Sequence, residues 1–139
     1  MVTPAPTVEG ARDLVALADI VVPNEGEAIA LTGAADSDAA ALALSAAGAT
    51  AVVTLGSRGA VVAQNGRIVH RVASRPAAAV DTTAAGDTFV GALVAWLAGG
   101  ATLPEALAAA SAAAAITVTR RGAVDGIPTR AEIVEALAE

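Results

Sequence analysis

The chain has no cysteine and no tyrosine, and only one residue each of histidine, tryptophan and phenylalanine. Each shortage removes a class of explanation. Without cysteine there can be no disulfide and no thiolate metal site, and nothing reports the redox compartment. A lone histidine lacks the company that a metal site needs. With so few aromatics, a hydrophobic fraction of 55% that owes much to alanine must build a core of small and aliphatic side chains. Basic residues are also scarce: 8 against 14 acidic ones leave a net charge of −6. That balance argues against a nucleic-acid or acidic-membrane surface, because both partners need a basic face. No apolar run approaches the ~20 residues that span a bilayer. The opening segment carries two prolines and no apolar core of the kind a signal peptide uses. The expectation is a cytoplasmic protein with no nucleic-acid and no membrane partner. A length of 139 residues fits one domain, residues 1–139, large enough to bury roughly two-thirds of its unfolded surface.

Read in order, Thr3-Pro4-Ala5-Pro6 is extended, because each proline discourages helix in the residue before it. Residues 9–17 suit a short helix and residues 19–23 a short buried strand. Asn24, with Glu27 three positions on, has the form of a capping box. Residues 37–47 form an alanine-rich helix that Gly48 can end, and residues 50–55 a β-branched strand. Thr54-Leu55-Gly56-Ser57-Arg58-Gly59 then stands at a strand's carboxyl end, where open α/β sheets place ligands. A plain glycine hairpin turn explains it equally well. It is not a P-loop, since no lysine follows the glycines. Asn65-Gly66 between residues 60–64 and 67–72 signals a hairpin with a type I′ turn, in which His70 is a solvent-side strand residue.

The stretch on which the rest depends is Val80-Asp81-Thr82-Thr83-Ala84-Ala85-Gly86-Asp87-Thr88-Phe89. Ala84-Ala85-Gly86 lets the backbone turn tightly and approach a ligand closely. A helix follows at or just after Gly86, and its unpaired amides and dipole favour an anion such as phosphate. A carboxylate beside that place, Asp87, makes sense if it accepts a hydroxyl proton while the turn neutralises charge on a transferred phosphoryl group. The structural alternative is a capped turn, since Asp is also preferred at helix starts. Residues 88–97 are apolar nearly all round, which predicts burial on several sides. Gly99-Gly100 ends that helix, Thr102 and Pro104 open the next, which runs to about residue 118, and Thr129 with Glu132 opens the last. Trp96 is left open between core and interface.

The 81–89 stretch closely resembles the carboxyl-terminal signature of the ribokinase-like carbohydrate kinases of the phosphofructokinase B type. Asn24-x-x-Glu27, residues 54–59 and the loop 119–128 resemble further segments of that family in the same order. The resemblance implies an α/β fold, a mainly parallel sheet flanked by helices with one antiparallel hairpin, corresponding to the carboxyl-terminal half of a ribokinase-like domain and truncated on the amino-terminal side. Strands that would pair with a missing half would leave an exposed edge and apolar surface. The implied activity is ATP-dependent phosphorylation of a sugar hydroxyl, ribose being the favoured acceptor. Asp87 would be the base that meets the substrate, and the amides of Ala84, Ala85 and Gly86 the anion hole. Asn24 and Glu27 would position Mg2+ and the nucleotide phosphates. Thr54, Leu55, Gly56, Ser57, Arg58 and Gly59 would touch phosphate and ribose, and Gly86 and Asp87 also face the nucleotide, with Ser111 against the adenine. A monovalent cation, K+, would take the Asp81 carboxylate and backbone carbonyls near Thr83, Thr117, Arg120 and Gly122, with Gly126 where the family often supplies a serine hydroxyl. The implied partners are ATP and a small sugar, together with a separate amino-terminal half or a second copy. The rival readings are a non-catalytic nucleotide-binding remnant, one half of a split kinase, and a truncated product.

Overall fold

A computed structural model of the chain describes Met1, Thr3 and residues 10–139. The expected extension at Pro4 to Pro6 and the start of the first helix at Glu9 lie outside the described residues. The chain divides into two compact units, Met1–Ala73 and Ser74–Glu139.

In the first unit the described elements are α1 (Ala11–Ala16), β1 (Ile20–Val21), α2 (Glu25–Thr32), α3 (Ser37–Ser45), β2 (Thr50–Thr54), β3 (Ala60–Gln64) and β4 (Arg67–Val72). The sheet order is β1-β2-β3-β4. β1 runs parallel to β2, with Ile20 opposite Thr50, whereas β2–β3 and β3–β4 are both antiparallel. The α/β architecture is therefore present with a mixed sheet, not a mainly parallel one, and with a second antiparallel pairing beside the expected hairpin. The cause is local. Gly56 and Gly59 adopt positive φ of 60° and 90°, open to glycine at no steric cost. The Leu55 N–H then donates to the Gly59 carbonyl at 2.8 Å, and the chain reverses directly from β2 into β3. The other reversal is as expected: Asn65 and Gly66 have φ of 51° and 70°, the signs a type I′ turn requires.

The core of this unit is made of small side chains. Ala28, Ala40, Ala41 and Leu44 from α2 and α3 meet Ala51, Val53, Val61 and Ala63 from β2 and β3. Each fully buried valine contributes on the order of 1.5–3 kcal/mol relative to exposure. β4 is an edge strand, and His70 on it is exposed.

The second unit is helical: α4 (Ala85–Ala98), α5 (Leu103–Val118) and α6 (Arg130–Ala138). α5 packs along α4 and against α6. Its alanines 106, 109, 110, 112 and 113 are fully buried, and such short side chains let helix backbones come close. α4 departs from expectation twice. It begins at Ala85, ahead of Gly86. It also buries one face, through Phe89, Ala92 and Leu93, while Val94 remains 43% exposed. Its apolar residues outnumber what one packed face can take. Trp96 is half-buried beneath the Arg130 guanidinium, which stands 4.4 Å from its ring centroid, a cation–π contact at the rim of the helices. No helix among the described residues is long and apolar enough to cross a membrane.

Candidate functional site

The start of α4 is held from the side. The N–H groups of Val80 and Asp81 both donate to the Val118 carbonyl, at 2.7 and 3.1 Å, tying this segment to the end of α5. The Asp81 carboxylate then accepts the Thr83 N–H on Oδ1 at 2.9 Å and the Gly122 N–H on Oδ2 at 3.1 Å. The Thr83 hydroxyl, these two amides and the nearby charge of Arg121 pull its pKa down to about 2. Asp81 is thus an ionised clamp between the 81–83 turn and the α5–α6 loop.

Beyond the clamp, Ala84 serves as N-cap in the left-handed conformation, φ 63°, and makes no side-chain capping bond. The other long helices differ, because Asn24, Asp36, Thr102 and Thr129 each accept a first-turn amide at the start of α2, α3, α5 and α6. The Ala85 N–H donates to the Thr82 carbonyl at 3.3 Å, and no cap side chain takes the amides that follow it. Within the tight turn expected of Ala84-Ala85-Gly86, it is Ala84 that takes the left-handed conformation, at a cost of roughly 1–2 kcal/mol for a residue with a Cβ. Gly86 sits inside the helix, and a Cβ built on it would meet nothing within 4 Å. Its missing side chain is not required by the chain itself. Asp87 follows in the first turn and is exposed. Thr88 is buried, and its Oγ1 has no hydrogen-bond partner among the described residues. Thr88 lies within the 81–89 stretch, but nothing in its residue type singled it out there.

The residues assigned to a cation are brought together. A Cβ on Gly126 would stand 2.6 Å from the Gly122 carbonyl oxygen and 3.5 Å from that of Thr117. The Gly126 N–H donates to the Gly122 carbonyl at 3.2 Å, so two of the expected donors lie against Gly126 in a turn that a side chain would disrupt. The Arg120 N–H donates to the Thr117 carbonyl at 3.1 Å, and Asp81 and Thr83 join through the clamp. One carboxylate with several carbonyls is a hard-oxygen set that fits a singly charged ion. Among the described residues no three His, Cys, Asp or Glu side chains gather as a transition-metal site would require.

In the first unit the assigned nucleotide residues collect at the carboxyl ends of the parallel pair β1–β2. Asn24 forms a bridge with Thr54, whose N–H donates to the Pro23 carbonyl at 3.0 Å. The capping box is complete: the Glu27 N–H donates to Asn24 Oδ1 and the Asn24 N–H to Glu27 Oε2, both at 2.9 Å. Gly56, Ser57 and Arg58 form an exposed 3-10 turn. Arg58 reaches Glu25 at 2.6 Å, a pair that sequence reading missed because its members come from different elements. Ser111 is half-buried on α5 in the second unit.

Against this geometry stand the comparisons with known proteins. Residues 1–130 match the family described as pfkB family carbohydrate kinase. The chain belongs to that family. Within it, the chain is 41% identical to the ribokinase of Haemophilus influenzae, over 99% of its own length and 46% of the relative's. The fold is similar to that of the Thermotoga maritima ribokinase, with a TM-score of 0.90 at 35% identity, covering 99% of this chain and 48% of that one. It is also similar to the Arabidopsis thaliana ribokinase complexed with ribose and ATP, with a TM-score of 0.83 at 33% identity, covering 91% and 43%. The chain spans about half the length of the curated relatives it matches.

Proposed function

We propose that the chain carries the nucleotide-binding and proton-accepting part of an ATP-dependent sugar kinase, with ribose as the favoured acceptor. The observation that carries this reading is the start of α4, an uncapped helix terminus with a carboxylate in its first turn. In the reaction the sugar hydroxyl oxygen attacks the γ-phosphorus, its proton passes to Asp87, and the bond from that phosphorus to the β–γ bridging oxygen breaks to release ADP. The amides of Ala84 to Gly86 offset the charge that grows on the transferred group. Asn24 and Glu27 hold the magnesium-bound phosphates, the 54–59 turn meets phosphate and ribose, and Ser111 lies against the adenine. When bound, Mg2+ neutralises phosphate charge. Asp81 and the carbonyls of Thr83, Thr117, Arg120 and Gly122, with Gly126 beside them, hold K+ next to the anion site. Support comes from family membership, from the ribose- and ATP-bound relative, and from the donor set around Gly126.

The test is a calorimetric titration with Mg-ATP in potassium buffer, comparing the parent with Gly86→Val. Because no neighbouring element among the described residues comes within 4 Å of a Cβ at residue 86, the variant should fold normally and lose binding. Equal binding by both proteins would remove the α4 start from the nucleotide site.

A further inference from the structure

Two ion pairs of the first unit share a geometry and join different things. Arg71 on β4 meets Asp38 on α3, and Arg58 on the 56–58 turn meets Glu25 on α2, each at 2.6 Å. The Arg71 pair braces elements that already pack together. The Arg58 pair is differently placed. Residues 56–58 are all exposed, and the backbone hydrogen bonds of their turn close within residues 55–59. Gly56 opens the turn and Gly59 follows it, both at positive φ, where a backbone without a Cβ is least restrained. Among the described residues, the one polar contact that leaves the turn is the Arg58 guanidinium on Glu25.

The far end of that contact matters as much. Glu25 is the first residue of α2, and it stands outside the capping box that Asn24 and Glu27 close between themselves. Its carboxylate takes no amide and reaches the turn instead. Asn24, its neighbour, bridges to Thr54 at the root of the same turn. The α2 start and the turn are thus joined twice, by backbone at Asn24 and Thr54 and by charge at Glu25 and Arg58. With its charge offset by a carboxylate at this distance, Arg58 has little net attraction left for a phosphate.

We infer that Glu25 and Arg58 are positioning residues, whose ion pair holds the 56–58 turn at the spacing from the α2 start that the nucleotide requires. The inference rests on the nucleotide reading above and gives Arg58 a role through Glu25 in place of direct contact. Mg-ATP titrations and thermal midpoints of the parent, Glu25→Gln, Arg58→Gln, the double variant and Asp38→Asn test it. An exposed ion pair is weak, so each of the first two variants should lower affinity about threefold. The double variant should bind no more weakly than either one, because the two side chains act as one unit. Asp38→Asn breaks the matching pair between elements that carry no assigned site residue, and affinity should stay at the parent value. A loss with Arg58→Gln but not with Glu25→Gln would put Arg58 on the ligand itself and overturn the inference. Additive losses would overturn it, as would an equal loss with Asp38→Asn. Parent-like affinity in both single variants would leave the pair a matter of stability alone and overturn it too. The nucleotide reading survives each of these results, whereas a parent that does not bind Mg-ATP would remove that reading and the inference together.

Discussion

The starts of α2 and α4 have nearly the same pattern and opposite outcomes. Asn24-Glu25-Gly26-Glu27 and Ala84-Ala85-Gly86-Asp87 both place an N-cap, a glycine at the second helical position and an acid at the third. At α2 the cap has a side chain, so cap and acid satisfy each other's amides and the terminus is closed. At α4 the cap is an alanine, no reciprocal bond forms, and the terminus is steadied from the flank by Asp81. The difference of one side chain decides whether an acid at the third position closes a capping box.

The strongest way to break the comparison is Asp87→Ala. On the proposed kinase reading, turnover with ribose as acceptor should fall by roughly 10²–10⁴-fold, the range of a lost general base, while Mg-ATP affinity stays within about threefold. A variant with undiminished turnover would return Asp87 to the status of an ordinary helix-start residue.

Acid should distinguish the two termini next. Asp81 is lowered from 3.8 to about 2 in the folded chain, so its contribution to stability is complete above the unfolded value. It is lost as pH falls through the folded one. Thermal midpoints of the parent should drop between pH 4 and pH 2, and Asp81→Asn should flatten that part of the profile. Parallel profiles would mean that the clamp does not hold the α4 start. Glu132, also held at about 2 by Arg120 and the Thr129 cap, contributes in the same window and remains in both proteins.

Asn24→Ala makes the α2 start resemble that of α4 and should cost about 1 kcal/mol, readable as a lower midpoint in urea. The smallest effect is expected from Ala84→Gly, which relieves the left-handed strain but loosens the unfolded chain. A gain of about 0.5–1 kcal/mol should remain. Destabilisation by this substitution would show that the Ala84 methyl packs in a way that outweighs its strain.

Much of the local architecture was legible in advance. The capping residues Asn24, Thr102 and Thr129 and the Asn65-Gly66 turn all act as their types suggest. Family membership could be read from the 81–89 signature. The sheet was harder, because a glycine turn at residues 56–59 suits a ligand loop and a reversal equally. Its resolution as a reversal turned a mainly parallel expectation into a mixed sheet. The exposed flank of α4 was illegible for another reason. An all-round apolar helix carries no mark of which face its neighbours will cover.

The sequence by itself determined where helices start, where the hairpin turns, and which stretch carries the family signature. Those choices depend on hydrogen bonds and backbone preferences between residues a few positions apart. Only the tertiary structure decided that Asp81 clamps Gly122 across a separation of 41 residues. It also decided that Gly126 lies so close to the Gly122 and Thr117 carbonyls that a side chain there would meet them. Such relations have no local code, because they depend on how packed helices return distant loops to one place.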